Sequence, residues 1–272
     1  MAGYGDDMLL GKVTAAPDAY APDVLYPIPR APGRRAAGID IDSACFGVDL
    51  WHAYELSWLD EQGKPEVRVG RISIPADSPN MVESKSLKLY LNSLNNLRHG
   101  SADAVATRIR QDVGGVVGAE IGLELLPVTA PALCGEPLTG ECIDQLALHA
   151  GGLHPERDLL VTTGQRGEDT VHSHLLRSLC PVTGQPDWAS VWIHYRGDLI
   201  ERASLLQYII AFRQHQEFHE QCVERMFADI GHRATPEFLQ IQAFYTRRGG
   251  LDINPMRSTE PGARPLPRMN RQ

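Results

Sequence analysis

The chain has 272 residues, 43% of them hydrophobic and 22% charged, with 26 basic against 34 acidic side chains and a net charge of −8. This length allows one large domain or two modest ones, and the composition excludes global disorder. The acidic balance argues against a nucleic-acid sleeve, which needs a basic surplus, and no apolar run reaches the ~18–20 residues of a membrane span.

The opening, MAGYGDDMLLGKVT, carries neither the basic nor the apolar stretch of an export signal, so a soluble cytoplasmic protein is expected. Proline and small residues dominate Ala16 to Gly38, which reads as an irregular surface arm (residues 1–38). Leu50–Leu59 and Val67–Ile74 then read as a strand pair around the turn EQGKP, followed by helices over Ser86–Leu97 and Ala102–Val117 and a strand over Ile121–Val128. A Pro/Gly-rich linker (129–155) follows, with a short helical piece near Ile143–His149. The pattern then repeats. Strands are expected over Asp169–Leu179 and Trp188–Tyr195 around CPVTGQP, helices over Ala203–Arg213 and Glu217–Ile230, and a strand over Phe238–Phe244.

Placing Val82-Glu83 over Ile200-Glu201, 118 residues on, sets VESKSLKLYLNS against IERASLLQYIIA, with Ser86-Leu87 on Ser204-Leu205 and Tyr90 on Tyr208. The order β-β-α-α-β therefore recurs, giving two α+β modules (39–128 and 156–272). Each is expected to be an antiparallel sheet with helices on one face.

Four groups carry chemistry. Cys180 opens the turn Cys180-Pro-Val-Thr-Gly-Gln-Pro-Asp187, which can return Asp187 to the thiol. A thiol is a strong nucleophile, but a carboxylate beside it helps only by moving a proton. A buried cysteine and a surface turn aspartate fit the same spacing. Phe218-His219-Glu220 opens a helix whose stripe Cys222, Val223, Met226 and Ile230 is apolar, so His219 reads either as a core side chain or as a proton carrier. Glu83-Ser84-Lys85-Ser86 reads as an anion-holding helix start or as an ordinary N-cap. Arg247-Arg248-Gly249-Gly250 reads as a phosphate grip or a solvated turn. There is no Walker loop and no GxGxxG. The five cysteines (Cys45, Cys134, Cys142, Cys180, Cys222) are odd in number and scattered, which argues for reduced thiols. With no CxxC, no HExxH and no Cys/His pair in sequence beside Cys134 or Cys142, no metal is expected.

Taken together, ESKSLKLYLNS, SLCPVTGQPDWA, RQHQEFHEQCVERMF and YTRRGGLDINPMR resemble the QueF-type NADPH-dependent 7-cyano-7-deazaguanine reductases of queuosine (tRNA modification) biosynthesis. The match is to their long form, in which the ESK motif precedes the cysteine and lies in the other repeat. The resemblance covers about Gly38 to Arg257. It implies a homodimer of tandem tunnelling-fold modules, each ββααββ. It also implies four-electron reduction of a nitrile to an aminomethyl group, using two NADPH in turn and no metal. By this resemblance Cys180 forms a covalent thioimide, and Asp187 and His219 handle protons. Val82, Glu83, Ser84, Phe218, His219 and Glu220 hold the deazaguanine, and Ser84, Lys85, Arg248 and Gly249 hold NADPH. The substrate is then a free base, with no nucleic acid and no membrane as partner. A GTP cyclohydrolase-like enzyme of the same fold, a cysteine hydrolase using Cys180 with His219, and a non-catalytic purine binder are the alternatives.

Overall fold

The computed structural model describes residues 8–12, 15–39, 46–148 and 154–272. Cys45 and His149 lie outside them. In chain order the elements are β1 (Pro27–Pro29), α1 (Arg30–Ala36), β2 (Phe46–Leu59), β3 (Pro65–Pro75), β4 (Asn80–Val82), α2 (Ser84–Asn92), α3 (Ala102–Val117) and β5 (Gly122–Leu126). The second half contains β6 (Glu141–Cys142), β7 (Thr162–Ser173), β8 (Arg177–Leu179), β9 (Pro186–Ile200), α4 (Arg202–Ala211), α5 (His219–Ala234), β10 (Phe238–Tyr245) and β11 (Leu251–Ser258). None of the described helices is long and apolar enough to cross a membrane.

Local chemistry accounts for the boundaries. The Ser101 hydroxyl accepts the Ala104 N–H and starts α3, and Gly118, at φ 73°, ends it in the left-handed conformation. Between them Val105, Ile109, Val113 and Val117 recur every fourth residue and are buried. α5 buries Cys222, Val223, Met226 and Ile230 in the same way. α2 stops at Asn92, short of the expected Leu97, because the Ser93 hydroxyl turns back onto the Tyr90 carbonyl at 2.6 Å.

The expected α+β class with antiparallel pairing and repeated order is what the molecule has, but the halves do not form separate sheets. β2, β3 and β5 of the first half, and β7, β9 and β10 of the second, belong to one sheet of order β5-β3-β2-β11-β10-β9-β7-β6. β11 joins them, paired antiparallel with β10 on one side and with β2, from Leu251–Ala53 to Ser258–Phe46, on the other. Among the described residues the first half contributes three strands to this sheet and no fourth, so it is ββααβ where ββααββ was expected. One pair, β6 with β7, is parallel. Each half keeps its own core under its own helices. Trp51, Ile72, Leu87, Ile109 and Val113 are buried in the first, and Val191, Leu205, Val223, Met226 and Ile241 in the second. Each such side chain contributes roughly 1.5–3 kcal/mol on burial.

Three further expectations are corrected. The strand over Asp169–Leu179 is broken, because Asp144 accepts the His174 N–H and Ser173 Oγ accepts the Leu175 N–H, which turns the chain between β7 and β8. Ile143–Leu148 form a turn, not a helix, with Leu146 N–H donating to the Ile143 carbonyl. The arm is not loosely laid on the surface. β1 pairs with β4, and the fully buried Arg30 reaches Asp49 at 2.5 Å, while Arg34 reaches Glu224 at 2.7 Å. Arg257 completes this cluster with Asp49 and Glu224 (2.7 and 2.8 Å), so that three guanidinium groups share two buried carboxylates.

Candidate active site

β8 and β9 form a short hairpin in which Ser178 faces Asp187 and Leu179 faces Pro186. The turn is closed by Cys180 N–H to the Gln185 carbonyl and Gly184 N–H to the Cys180 carbonyl, both 2.9 Å, with Gly184 at φ 66° where a side chain would be strained. The sequence thus holds a thiol and a carboxyl at one end of a hairpin. Cys180 is 6% exposed, and the Thr183 N–H lies 3.5 Å from its sulfur, aimed to stabilise negative charge there.

Asp187 is 5% exposed. His219 Nε2 lies 3.2 Å from Oδ2, and Arg248 pairs with Oδ1 while also donating to the side-chain oxygen of Gln185. Burial pushes the Asp187 carboxyl up, but the hydrogen bond and charge of His219, joined by Arg248, outweigh it and hold the group below the usual carboxylate value. Asp187 is therefore ionised at neutral pH and can take a proton. His219, the first residue of α5, stacks flat on Tyr245 with centroids 3.7 Å apart and planes at 9°. Its Nε2 faces a carboxylate and so carries hydrogen. Its buried Nδ1 has no hydrogen-bond partner among the described residues.

Glu220, next on α5, is 4% exposed. Burial, with the Asp49 charge next, pushes its carboxyl up to about 7. It therefore sits near half-ionisation at neutral pH, poised to accept hydrogen bonds from a neutral donor edge. Phe218 packs with Ile28 and Met81, so the arm's β1 and its partner β4 form the wall beside it.

These groups meet. Cys180, Asp187, Phe218, His219 and Glu220 line one cleft of about 250 Å³, which also takes in Val82, Ser84, Lys85, Arg248 and Gly249. Ten of the eleven residues that the resemblance assigns to the site thus share one space drawn from both halves. Glu83 is the exception. Its carboxylate is fully buried but turned onto its own helix, accepting the N–H groups of Lys85 (2.6 Å) and Ser86 (2.9 Å) as the N-cap of α2. Burial raises its pKa against those hydrogen bonds. Arg247 also stays out of the cleft, its guanidinium 3.5 Å from the centre of the Tyr54 ring, so of the two arginines only Arg248 lines the cleft.

A cationic rim of Lys85, Lys88 and Arg248 faces an apolar floor that includes Trp51 and Ile253. Gly249, at φ 58°, keeps the backbone open where a Cβ would lie 3.1 Å from the Lys88 ammonium. This donor set suits a phosphorylated, partly planar cofactor. Lys88 and Tyr245 lie inside the ESKSLKLYLNS and YTRRGGLDINPMR runs but were given no role of their own, although Lys88 is one helical turn from Lys85. Trp51 was missed, since only the fold brings its strand to the cleft.

The chain matches two family models, "Nitrile reductase, 7-cyano-7-deazaguanine-reductase N-term" over residues 16–125 and "QueF-like protein" over 186–263. It is 50% identical over 94% of its length to the NADPH-dependent 7-cyano-7-deazaguanine reductase of Chromohalobacter salexigens, and 52% identical over 94% to that of Dechloromonas aromatica, covering 92% of each. Among solved structures, the archaeosine synthase QueF-Like in the apo form is similar at a TM-score of 0.30 and 16% identity, over 37% of this chain and 96% of that one. With about half of its residues identical over nearly its whole length, the chain belongs to the NADPH-dependent 7-cyano-7-deazaguanine reductase family.

Proposed function

We propose that this protein reduces the nitrile of 7-cyano-7-deazaguanine to the aminomethyl group, through a covalent bond to Cys180. The observation that carries this is the placing of Cys180 and an ionised Asp187 in one cleft, seven residues apart across one turn, with Arg248 and His219 on the carboxylate.

A nitrile carbon is linear and weakly electrophilic. Addition of the Cys180 sulfur makes a planar thioimide, which splits a hard step into easier ones. The S–C bond forms as the thiol proton passes to Asp187, and the nitrile nitrogen takes a proton in return. NADPH, when bound, supplies a hydride to carbon, twice per substrate. Between those deliveries the C–S bond breaks and Cys180 leaves as thiolate, with His219 placed to hold or return a proton at Asp187. Lys85, Arg248 and Gly249, with Ser84, hold the cofactor. Val82, Ser84, Phe218, His219 and Glu220 hold the base, whose N–H and amino donors suit a carboxylate. Glu83 joins them if its cap bonds are shared with substrate. Phe218 and the arm residues beside it shield the imine from water, which would otherwise hydrolyse it.

The same proposal makes the protein a cytoplasmic homodimer in queuosine biosynthesis, without nucleic-acid or membrane partner. It also treats residues 39–128 and 156–272 as tandem tunnelling-fold modules, with 1–38 as arm and 129–155 as linker. The acidic balance supports a small free base over tRNA as substrate. The test is loss of NADPH absorbance on adding 7-cyano-7-deazaguanine to reduced protein. Two NADPH oxidised per base are expected, and no oxidation overturns the proposal.

A further inference from the structure

Away from the cleft, the parallel pairing of β6 with β7 sets Cys142 directly against His172. His174 lies two residues further on, just past the end of β7, where Asp144 holds its backbone N–H. The Cys142 sulfur and one ring nitrogen of each histidine lie within 4.8 Å of one another, the one such His/Cys/carboxylate group among the described residues. Sequence spacing hides this, since Cys142 and His172 are far apart along the chain.

The surroundings are those of a built site. His172 Nδ1 lies 3.1 Å from the Thr139 carbonyl, which can only accept, so Nδ1 carries the hydrogen and Nε2 keeps its lone pair. His174 Nδ1 lies 2.8 Å from the Ser190 hydroxyl, and Asp144 fixes the His174 backbone through its N–H. Such outer contacts on the far ring nitrogen are what orient metal-binding imidazoles. A tetrahedral zinc ion holds sulfur and nitrogen at about 2.0–2.3 Å, which spaces its ligands about 3.3–3.8 Å apart. Cys142 is exposed and free to swing in by that difference.

We propose that Cys142, His172 and His174 bind one zinc ion, with water in the fourth position, pinning the segment that carries β6 to the edge of the sheet. The chemistry of one thiolate and two imidazoles favours zinc over magnesium or calcium.

The test uses the full-length protein, reduced and stripped with a chelator, then titrated with Co²⁺ as a spectroscopic stand-in. One equivalent per chain should bring up a thiolate-to-cobalt charge-transfer band and tetrahedral d–d bands, which Zn²⁺ then displaces. Cys142→Ser should abolish the charge-transfer band, while Cys134→Ser and Cys180→Ser keep it. Ser190→Ala, which leaves all three ligands, should weaken Zn²⁺ about 10- to 100-fold in competition with a chromophoric chelator. Zn²⁺ should raise the unfolding temperature of the wild type but not of C142S. No band in the wild type, or a band unchanged in C142S, overturns the site. Should C142S misfold by circular dichroism, His174→Ala decides the matter by losing the d–d bands or keeping them.

Discussion

The two halves share their scaffold down to single hydrogen bonds and differ almost wholly in chemistry. In the first, Ser86 Oγ donates to the Glu83 carbonyl and accepts the Tyr26 N–H; in the second, Ser204 Oγ donates to Glu201 and accepts the Val161 N–H. Glu83 N–H meets the Tyr26 carbonyl, and Glu201 N–H meets Val161. Tyr90 bonds Asp112 at 2.6 Å, and Tyr208 bonds Asp229 at 2.7 Å. Yet the turn that carries Cys180 and Asp187 in the second half is only Asp60–Lys64 in the first, and α3 opens on Ser101-Ala102 where α5 opens on Phe218-His219-Glu220. Conversely, Glu83 is a buried cap while Glu201 is exposed with no side-chain cap bond. The second half holds the thiol, carboxylate, imidazole and Arg248, and the first lends Lys85, Lys88 and the wall of Ile28 and Met81.

That asymmetry can be broken position by position. Cys180→Ala should lower turnover on the order of 10⁴-fold or more in steady-state NADPH oxidation and abolish the thioimide absorbance. Gln62→Ala, at the corresponding turn, should leave the rate within about twofold, a surface change of the usual small size. Asp187→Asn removes the proton carrier and should cost about 10²- to 10⁴-fold in kcat with the base still bound, checked by equilibrium titration.

Glu220 gives a pH signature that the first half cannot. Its pKa of about 7 lies above the ordinary carboxylate value, so it is protonated below neutrality and loses acceptor capacity. Affinity for the base should fall as pH drops from 8 to 6, by up to about tenfold per unit below 7, and Glu220→Gln should flatten that slope. The sign for folding is opposite. A carboxyl raised in the folded state contributes most at low pH, and that contribution is lost as pH rises through about 7.

Glu83→Ala should cost about 0.5–2 kcal/mol in denaturant unfolding through the lost cap, against almost nothing for Glu201→Ala. The smallest contrast is an expected equality. Tyr90→Phe and Tyr208→Phe each remove one hydrogen bond to a carboxylate, and each should destabilise by about 1–3 kcal/mol. Values differing by more would show that the shared scaffold is not energetically shared.

The elements were legible because their signals are local. The buried stripe of α3 and the left-handed Gly118 can be read in one window, as can the turn between Cys180 and Asp187. The repeat was legible because Ser86 and Tyr90 do the same work as Ser204 and Tyr208. What was not legible depends on contacts distant in sequence. β11 was given no element, since its strand character comes from neighbours at β10 and β2. Arg30 looked like part of a loose arm, since only Asp49 and Glu224 explain its burial. In the site, the types Cys180, Asp187 and His219 were readable, but Arg248 as the partner of Asp187 was not. The Glu83 run was read both as an N-cap and, through the resemblance, as a holder of the base, and the cap is the contact its carboxylate makes here.

The place of β11 bears on how the molecule is made. A ribosome delivers β2 some two hundred residues before the strand that covers its edge, as the pairing of Ala53 with Leu251 shows. The early half therefore emerges with an open, hydrogen-bonding margin that must be kept from other nascent chains until the last strand arrives. Such late, long-range closure slows folding, and it makes completion of the cleft a quality check on the entire polypeptide. A chain cut short before residue 251 lacks both the seam and the last wall of its reaction chamber.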